Sequence, residues 1–384
     1  MSFNSLGISG SLLETLETQN YTNPYPIQKE AIPAILEKKD VLGIAKTGSG
    51  KTASYVLPIL MNLQEKSVKK SRHVRVLVLV PTRELAVQVQ GVFKLFGETI
   101  SQTTPQKIKS LAVFGGASIN PQMMALQGVD ILVATPGRLL DLVEVNAVHL
   151  SDIDTLVLDE ADKILNAGFK NEMNKIFDLL PPKRQNLLFS ATLNDDIGTI
   201  HQVLLHDPVV IKIDSHEENI DLIVQSTYAV VAEKKGPLLR YLIKSREMTQ
   251  VLVFTSSVAR AERVADKLRK NGIDAKAIHS KRTQGVRTDL LTNFKEGKLQ
   301  VLVATDLLSR GIDIEFLPYV INYELPRSPK IFIHRIGRTG RAERPGEAIT
   351  LISPDEEQHF RVIEKKIKKR IARIPTDDLD LRKY

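Results

Sequence analysis

Asp40-Val41-Leu42-Gly43-Ile44-Ala45-Lys46-Thr47-Gly48-Ser49-Gly50-Lys51-Thr52 decides the fold of this chain. Residues 40–44 read as a short buried strand, the loop behind them is glycine-rich, and a helix is expected to open near Gly50. A strand, a glycine loop and a helix in that order form a cradle for a nucleotide's phosphates. Gly48 and Gly50 let the backbone come close and aim N–H groups at the anion. Lys51 is placed to reach the β- and γ-phosphates, and the Thr52 hydroxyl to meet magnesium. Ala45, Lys46, Thr47 and Ser49 complete the loop.

The strand rhythm continues outward. Residues 74–80, 110–114, 130–134, 154–158, 185–189 and 209–213 are further short apolar runs, with segments of helical length between most of them. Runs apolar along most of their length suit strands covered on both faces. A polar stretch, Asp214-Ser215-His216-Glu217-Glu218-Asn219, interrupts the series. A second series follows at 224–232, 250–254, 274–278, 300–304, 319–323 and 347–352. The expected fold class is α/β, with two tandem doubly wound parallel sheets. The expected boundaries are 1–213, a linker at 214–222, 223–373 and a short tail at 374–384. A terminal helix is predicted over 360–373, packed by Ile363, Ile367 and Ile371, with a solvated basic face.

Asp159 and Glu160 directly follow Leu156-Val157-Leu158, at the carboxyl end of a strand, where doubly wound sheets bind ligands. Asp159 is expected to anchor magnesium through water, and Glu160 to orient or deprotonate the attacking water. Gln28 can exchange two hydrogen bonds with an adenine edge, and Tyr21 can stack on the base. His334-Arg335-Ile336-Gly337-Arg338-Thr339-Gly340-Arg341 brings arginines from a distant part of the chain, so that hydrolysis depends on two parts of the protein meeting.

The 384 residues carry a formal charge of +8, which favours a polyanionic partner. Cysteine is absent, which excludes disulfides and thiolate zinc sites. No apolar run approaches a membrane span, and Met1-Ser2-Phe3-Asn4 does not begin like a signal peptide. A cytoplasmic protein using no metal besides magnesium is expected.

Together these residues resemble the DEAD-box family of ATP-dependent RNA helicases across nearly the whole chain. The resemblance rests on Asp159-Glu160-Ala161-Asp162 and on an ordered set around it. That set comprises Gln28 with Tyr21 and isolated Phe3, Pro81-Thr82-Arg83-Glu84-Leu85-Ala86, Gly115-Gly116, Thr135-Pro136-Gly137-Arg138 and Ser190-Ala191-Thr192. It continues with Gln284 and Arg287, Thr305-Asp306, Arg310-Gly311-Ile312-Asp313 and the stretch from His334 to Arg341. Ser2-Phe3-Asn4-Ser5-Leu6-Gly7 and Gln284-Gly285-Val286-Arg287-Thr288 look most like the bacterial RhlE-like branch.

The resemblance implies two RecA-like domains, with ATP and magnesium as cofactors and RNA as partner. Phe3, Tyr21 and Gln28 would select adenine, and Asp313 would meet the ribose. Lys51, Asp159, Glu160, Arg338 and Arg341 would carry hydrolysis, the two arginines as fingers on the γ-phosphate. Ser190 and Thr192 would link Asp162 to His334 and so couple the ATP and RNA sites. Pro81, Thr82, Arg83, Gly115, Gly116, Thr135, Arg138, Gln284, Arg287, Thr305 and Arg310 would lie along the RNA backbone. A monomer is expected, with further proteins for targeting.

Three places depart from the family pattern: the run Ser256-Ser257-Val258, Lys163 and Phe332. None is expected to touch the hydrolysis machinery. An ATP-gated RNA clamp with little turnover and a DNA-dependent translocase are the competing readings.

Overall fold

The computed structural model describes residues 1–19, 21–45, 48–65, 74–103, 107–166, 169–192, 204–213, 223–306, 317–339 and 346–381. The chain divides into two compact units, Met1–Ser215 and His216–Tyr384. The expected linker at 214–222 lies outside the described residues.

The strands of the first unit are β1 (Val41–Ile44), β2 (Val76–Leu79), β3 (Ser110–Val113), β4 (Ile131–Ala134), β5 (Thr155–Leu158), β6 (Gln185–Ser190) and β7 (Val209–Lys212). They form one sheet in the order β3-β4-β2-β5-β6-β1-β7, every pair parallel. Alternation along a strand sends successive side chains to opposite faces. In β2, Val76 and Val78 enter one apolar cluster, and Leu77 and Leu79 enter the other. All four are buried, which is why the run reads as continuously hydrophobic.

The second unit holds β8 (Ile223–Ala229), β9 (Val251–Thr255), β10 (Ala275–Ile278), β11 (Val301–Thr305), β12 (Tyr319–Asn322), β13 (Gly346–Ile352) and β14 (Arg373–Pro375). Its order, β10-β11-β9-β12-β13-β8-β14, is the first unit's order with each strand advanced by seven. All its pairs are parallel as well.

The end of the chain differs from expectation. The terminal helix runs Glu357–Ile367 and stops at Lys368, which adopts φ 53. Ile371 is still buried, but on a return path into β14, which pairs with β8. The path is held by Arg373, whose guanidinium bonds Glu357 and Glu364 and lies 4.8 Å from the Phe360 ring centroid. Glu364 also accepts the Ile371 N–H at 2.7 Å. Residues 374–376 therefore finish a sheet rather than form a tail, and Thr376 donates to the Ala229 carbonyl at 2.9 Å. Among the described residues, no helix is long and apolar enough to cross a membrane.

Candidate active site

The glycine loop leaves β1 at its carboxyl end, and helix Lys51–Glu65 follows it. Gly48 and Gly50 have φ of 77° and 86°, a region that side chains with a Cβ avoid. Lys51 folds back over the loop, donates to the Ala45 carbonyl and is only 7% exposed. Burial pulls the Lys51 ammonium below its ordinary pKa, opposed by the nearby charges of Asp159 and Glu160. A buried cation with only partial compensation favours arrival of an anion. Lys46 and Thr47 lie outside the described residues.

Gln28 is fully buried and clasps this loop. Its Oε1 accepts the Tyr25 N–H at 2.8 Å, and its Nε2 donates to the Gly50 carbonyl at 3.1 Å. A Cβ on Gly50 would stand 2.5 Å from Gln28 Nε2, so the contact requires glycine there. Nε2 keeps a second N–H and Oε1 a second lone pair, the pair of groups that an adenine edge would need. Phe3 does not fit the role that the resemblance gave it. It is 4% exposed and packed in the first unit's core, because an isolated phenyl ring gains more from apolar burial than from solvent. Tyr21 is half-buried, with its ring edge-on to Phe96 at 6.0 Å.

Asp159 follows β5 and is 2% exposed. Its Oδ1 accepts the Glu160 N–H at 2.8 Å, and its Oδ2 accepts the Tyr55 hydroxyl at 2.8 Å. Burial pushes the Asp159 carboxyl above the usual range, against the pull of Lys51. Glu160 adopts φ 53, a conformation that costs a non-glycine residue of order 1–3 kcal/mol. It is 8% exposed, and its Oε2 is buried with no hydrogen-bond partner. Its Oε1 pairs with Lys163. Lys163 therefore does touch a residue expected to carry hydrolysis, contrary to expectation, because the helical turn after Glu160 carries it back onto that carboxylate. Asp162 accepts the Ser190 hydroxyl at 3.0 Å and the Thr192 hydroxyl at 3.5 Å.

The Thr52 hydroxyl, the Asp159 carboxylate and the unpartnered Glu160 Oε2 form a hard oxygen set that suits magnesium. Among the described residues, no group of three or more His, Asp or Glu is gathered as a cage.

A second group lines the carboxyl ends of β2, β3 and β4. The Arg83 guanidinium lies over Gly116, where an added Cβ would stand 1.9 Å from Nη2. Thr135 accepts the Gly115 N–H at 3.4 Å, and Thr82 accepts the Leu85 N–H at 3.3 Å beside half-buried Pro81. Arg138 is 7% exposed, donates to the Ala117 carbonyl at 2.9 Å and leaves Nη1 without a partner. Gln122 pins the same loop by bonding both polar backbone atoms of Phe114. Nothing in a lone glutamine marks that role in sequence.

In the second unit Gln284 opens helix Gln284–Lys295, Arg287 is buried on its first turn, and Thr305 ends β11. His334 is half-buried on helix Pro329–Ile336, and Arg338 lies just beyond it, 6% exposed. Arg310, Asp313 and Arg341 lie outside the described residues. Arg335 is a residue that the sequence reading passed over. It is fully buried, bonds Asp306, Asn322 and the Glu324 carbonyl, and stacks over Phe254 at 5.0 Å. It fixes the helix that presents His334 and Arg338. In the departing stretch, Ser256 gives its N–H and hydroxyl to Glu324, both at 2.7 Å, and Ser257 caps helix Val258–Lys270. Phe332 is buried edge-on to Phe360.

Two family models match this chain: the DEAD/DEAH box helicase model over residues 25–200 and the helicase conserved C-terminal domain over 233–343. The chain belongs to the DEAD-box helicases. An ATP-dependent RNA helicase CshA of Listeria monocytogenes is 38% identical over 96% of this DEAD-box chain and 69% of its own length. A DEAD-box ATP-dependent RNA helicase CshA of Streptococcus pneumoniae is 40% identical over 97% and 69%. Among solved structures, Saccharomyces cerevisiae Dbp5 bound to RNA and ADP BeF3 aligns with a TM-score of 0.82 at 28% identity, covering 100% of this chain and 99% of the other. That likeness supports the tandem RecA-like fold of this DEAD-box helicase.

Proposed function

We propose that the chain hydrolyses ATP in an RNA-dependent manner and uses the cycle to open short RNA duplexes or remodel RNA–protein complexes. The observation that carries this is Glu160, an unpaired buried carboxylate oxygen beside Asp159 and Lys51 at the carboxyl edge of the first sheet. Lys51 and the loop N–H groups would hold the β- and γ-phosphates, while Glu160 takes the proton of the attacking water. Magnesium, bound through Thr52 and Asp159, would neutralise the phosphate oxygens. Arg338 and Arg341 would act as fingers on the γ-phosphate, worth roughly 10³–10⁵ in rate in well-studied NTPases.

Arg83, Thr135, Arg138, Arg287 and their neighbours would contact RNA phosphates and sugars, with little sequence reading. The curated relatives and the Dbp5 structure with RNA support this assignment. Their names favour a CshA-like branch, and none supports the RhlE-like placement. The protein would act as a cytoplasmic monomer, targeted by partner proteins, with its domain boundary within 214–222.

ATPase rate measured with RNA, with single-stranded DNA and without polymer tests the proposal. RNA is expected to stimulate strongly, less so as salt rises, and DNA not at all. Equal stimulation by DNA would favour a translocase, and RNA binding without phosphate release would favour a clamp.

A further inference from the structure

Tyr55 is a buried group that the proposed chemistry does not use. It sits one turn into helix Lys51–Glu65 with no accessible surface, its ring 5.3 Å from Phe189 and 6.3 Å from Phe93. Phenylalanine would satisfy that packing. The hydroxyl needs a separate reason, since a buried O–H left unpaired is destabilising.

The hydroxyl donates to Asp159 Oδ2 at 2.8 Å. A phenol has one proton, and here it goes to the carboxylate. Asp159 is thereby fixed from both ends, with Oδ1 on the Glu160 N–H.

We propose that Tyr55 is the positioning residue of the magnesium site: its hydroxyl holds Asp159 Oδ2 and sets the orientation of that carboxylate. Groups that orient metal ligands typically account for 10–100-fold in metal affinity. The inference rests on the reading that Thr52 and Asp159 hold magnesium.

The test is the affinity of the full chain for a fluorescent methylanthraniloyl-ADP, titrated with magnesium, in the parent and in Tyr55→Phe. The magnesium midpoint is expected to rise about 10-fold or more in Tyr55→Phe, while nucleotide affinity in EDTA stays the same. Phe93→Leu, which loosens the same aromatic cluster without touching the hydroxyl, is expected to leave the midpoint in place. An unchanged midpoint in Tyr55→Phe overturns the proposal. So does an equal shift in Phe93→Leu, a parallel loss of affinity in EDTA, or a Tyr55→Phe chain that does not fold, since each assigns the hydroxyl to the core. Magnesium-independent binding by the parent would instead refute the underlying assignment of Thr52 and Asp159.

Discussion

The two units share one strand order but treat equivalent positions oppositely. Lys51 and Lys235 each open the helix that follows the first strand of their unit. Lys235 is 4% exposed and satisfied by its own fold, bonded to the Glu356 carboxylate and, at 3.2 Å, to the Tyr323 carbonyl. Lys51 donates to a carbonyl of its own loop, and the charges of Asp159 and Glu160 nearby do not fully offset its burial.

Glu160 and Glu324 each stand two residues beyond the end of an equivalent strand, β5 and β12. Glu324 has both oxygens occupied, Oε2 by Ser256 and Oε1 by Arg260 at 2.9 Å. Glu160 keeps one oxygen unpartnered in a strained backbone position. Identical topology thus yields a finished edge in one unit and an unfinished one in the other. Unsatisfied buried groups are costly, so they persist where a ligand will complete them.

The contrast can be broken most directly at the glutamates. Glu160→Gln is expected to lower RNA-stimulated phosphate release by about 10²–10⁴ while ATP binding, followed by equilibrium titration, is kept. Glu324→Gln is expected to stay within about tenfold of the parent, or about 1.4 kcal/mol. Equal losses would show that the second edge is not finished after all.

At the lysines, Lys51→Ala is expected to reduce turnover about 10²–10³-fold with the chain still folded. Lys235→Met should instead cost about 2–4 kcal/mol of stability in denaturant melts by stranding Glu356, which is partly accessible to water.

The smallest effect lies in the second unit's last strand. Arg373→Gln is expected to cost about 2–3 kcal/mol at neutral pH. For Glu364, burial is outweighed by hydrogen bonds from Arg373 and the Ile371 N–H, so its carboxyl is held below the ordinary value of 4.5. Glu357 is held below it chiefly by its hydrogen bond from Arg373. A depressed folded-state value stabilises fully above 4.5 and is lost as pH falls through the lowered values. The gap between parent and Arg373→Gln should therefore close as acid melts pass below about pH 4. A gap that persists there would separate β14 from this pairing.

The strands were legible because burial on both faces writes itself as consecutive apolar residues, as in Val76-Leu77-Val78-Leu79. The phosphate loop was legible because glycines at positive φ and a following lysine have few other uses in that order. The terminal helix misled because Ile371 keeps helical spacing while its backbone has already turned at Lys368. Burial alone does not reveal whether a residue arrives on a helix or on a loop.

By itself, the sequence determined the alternating α/β architecture, the nucleotide loop and the acidic pair, since each depends on local spacing along the chain. Tertiary structure alone decided that Phe3 belongs to a core, that Lys163 pairs with Glu160, and that Tyr55 and Arg335 are bonding centres. These are meetings of side chains from different elements. Tyr55 and Asp159 lie 104 residues apart, and only the packing of helix Lys51–Glu65 against the sheet puts a hydroxyl on that carboxylate.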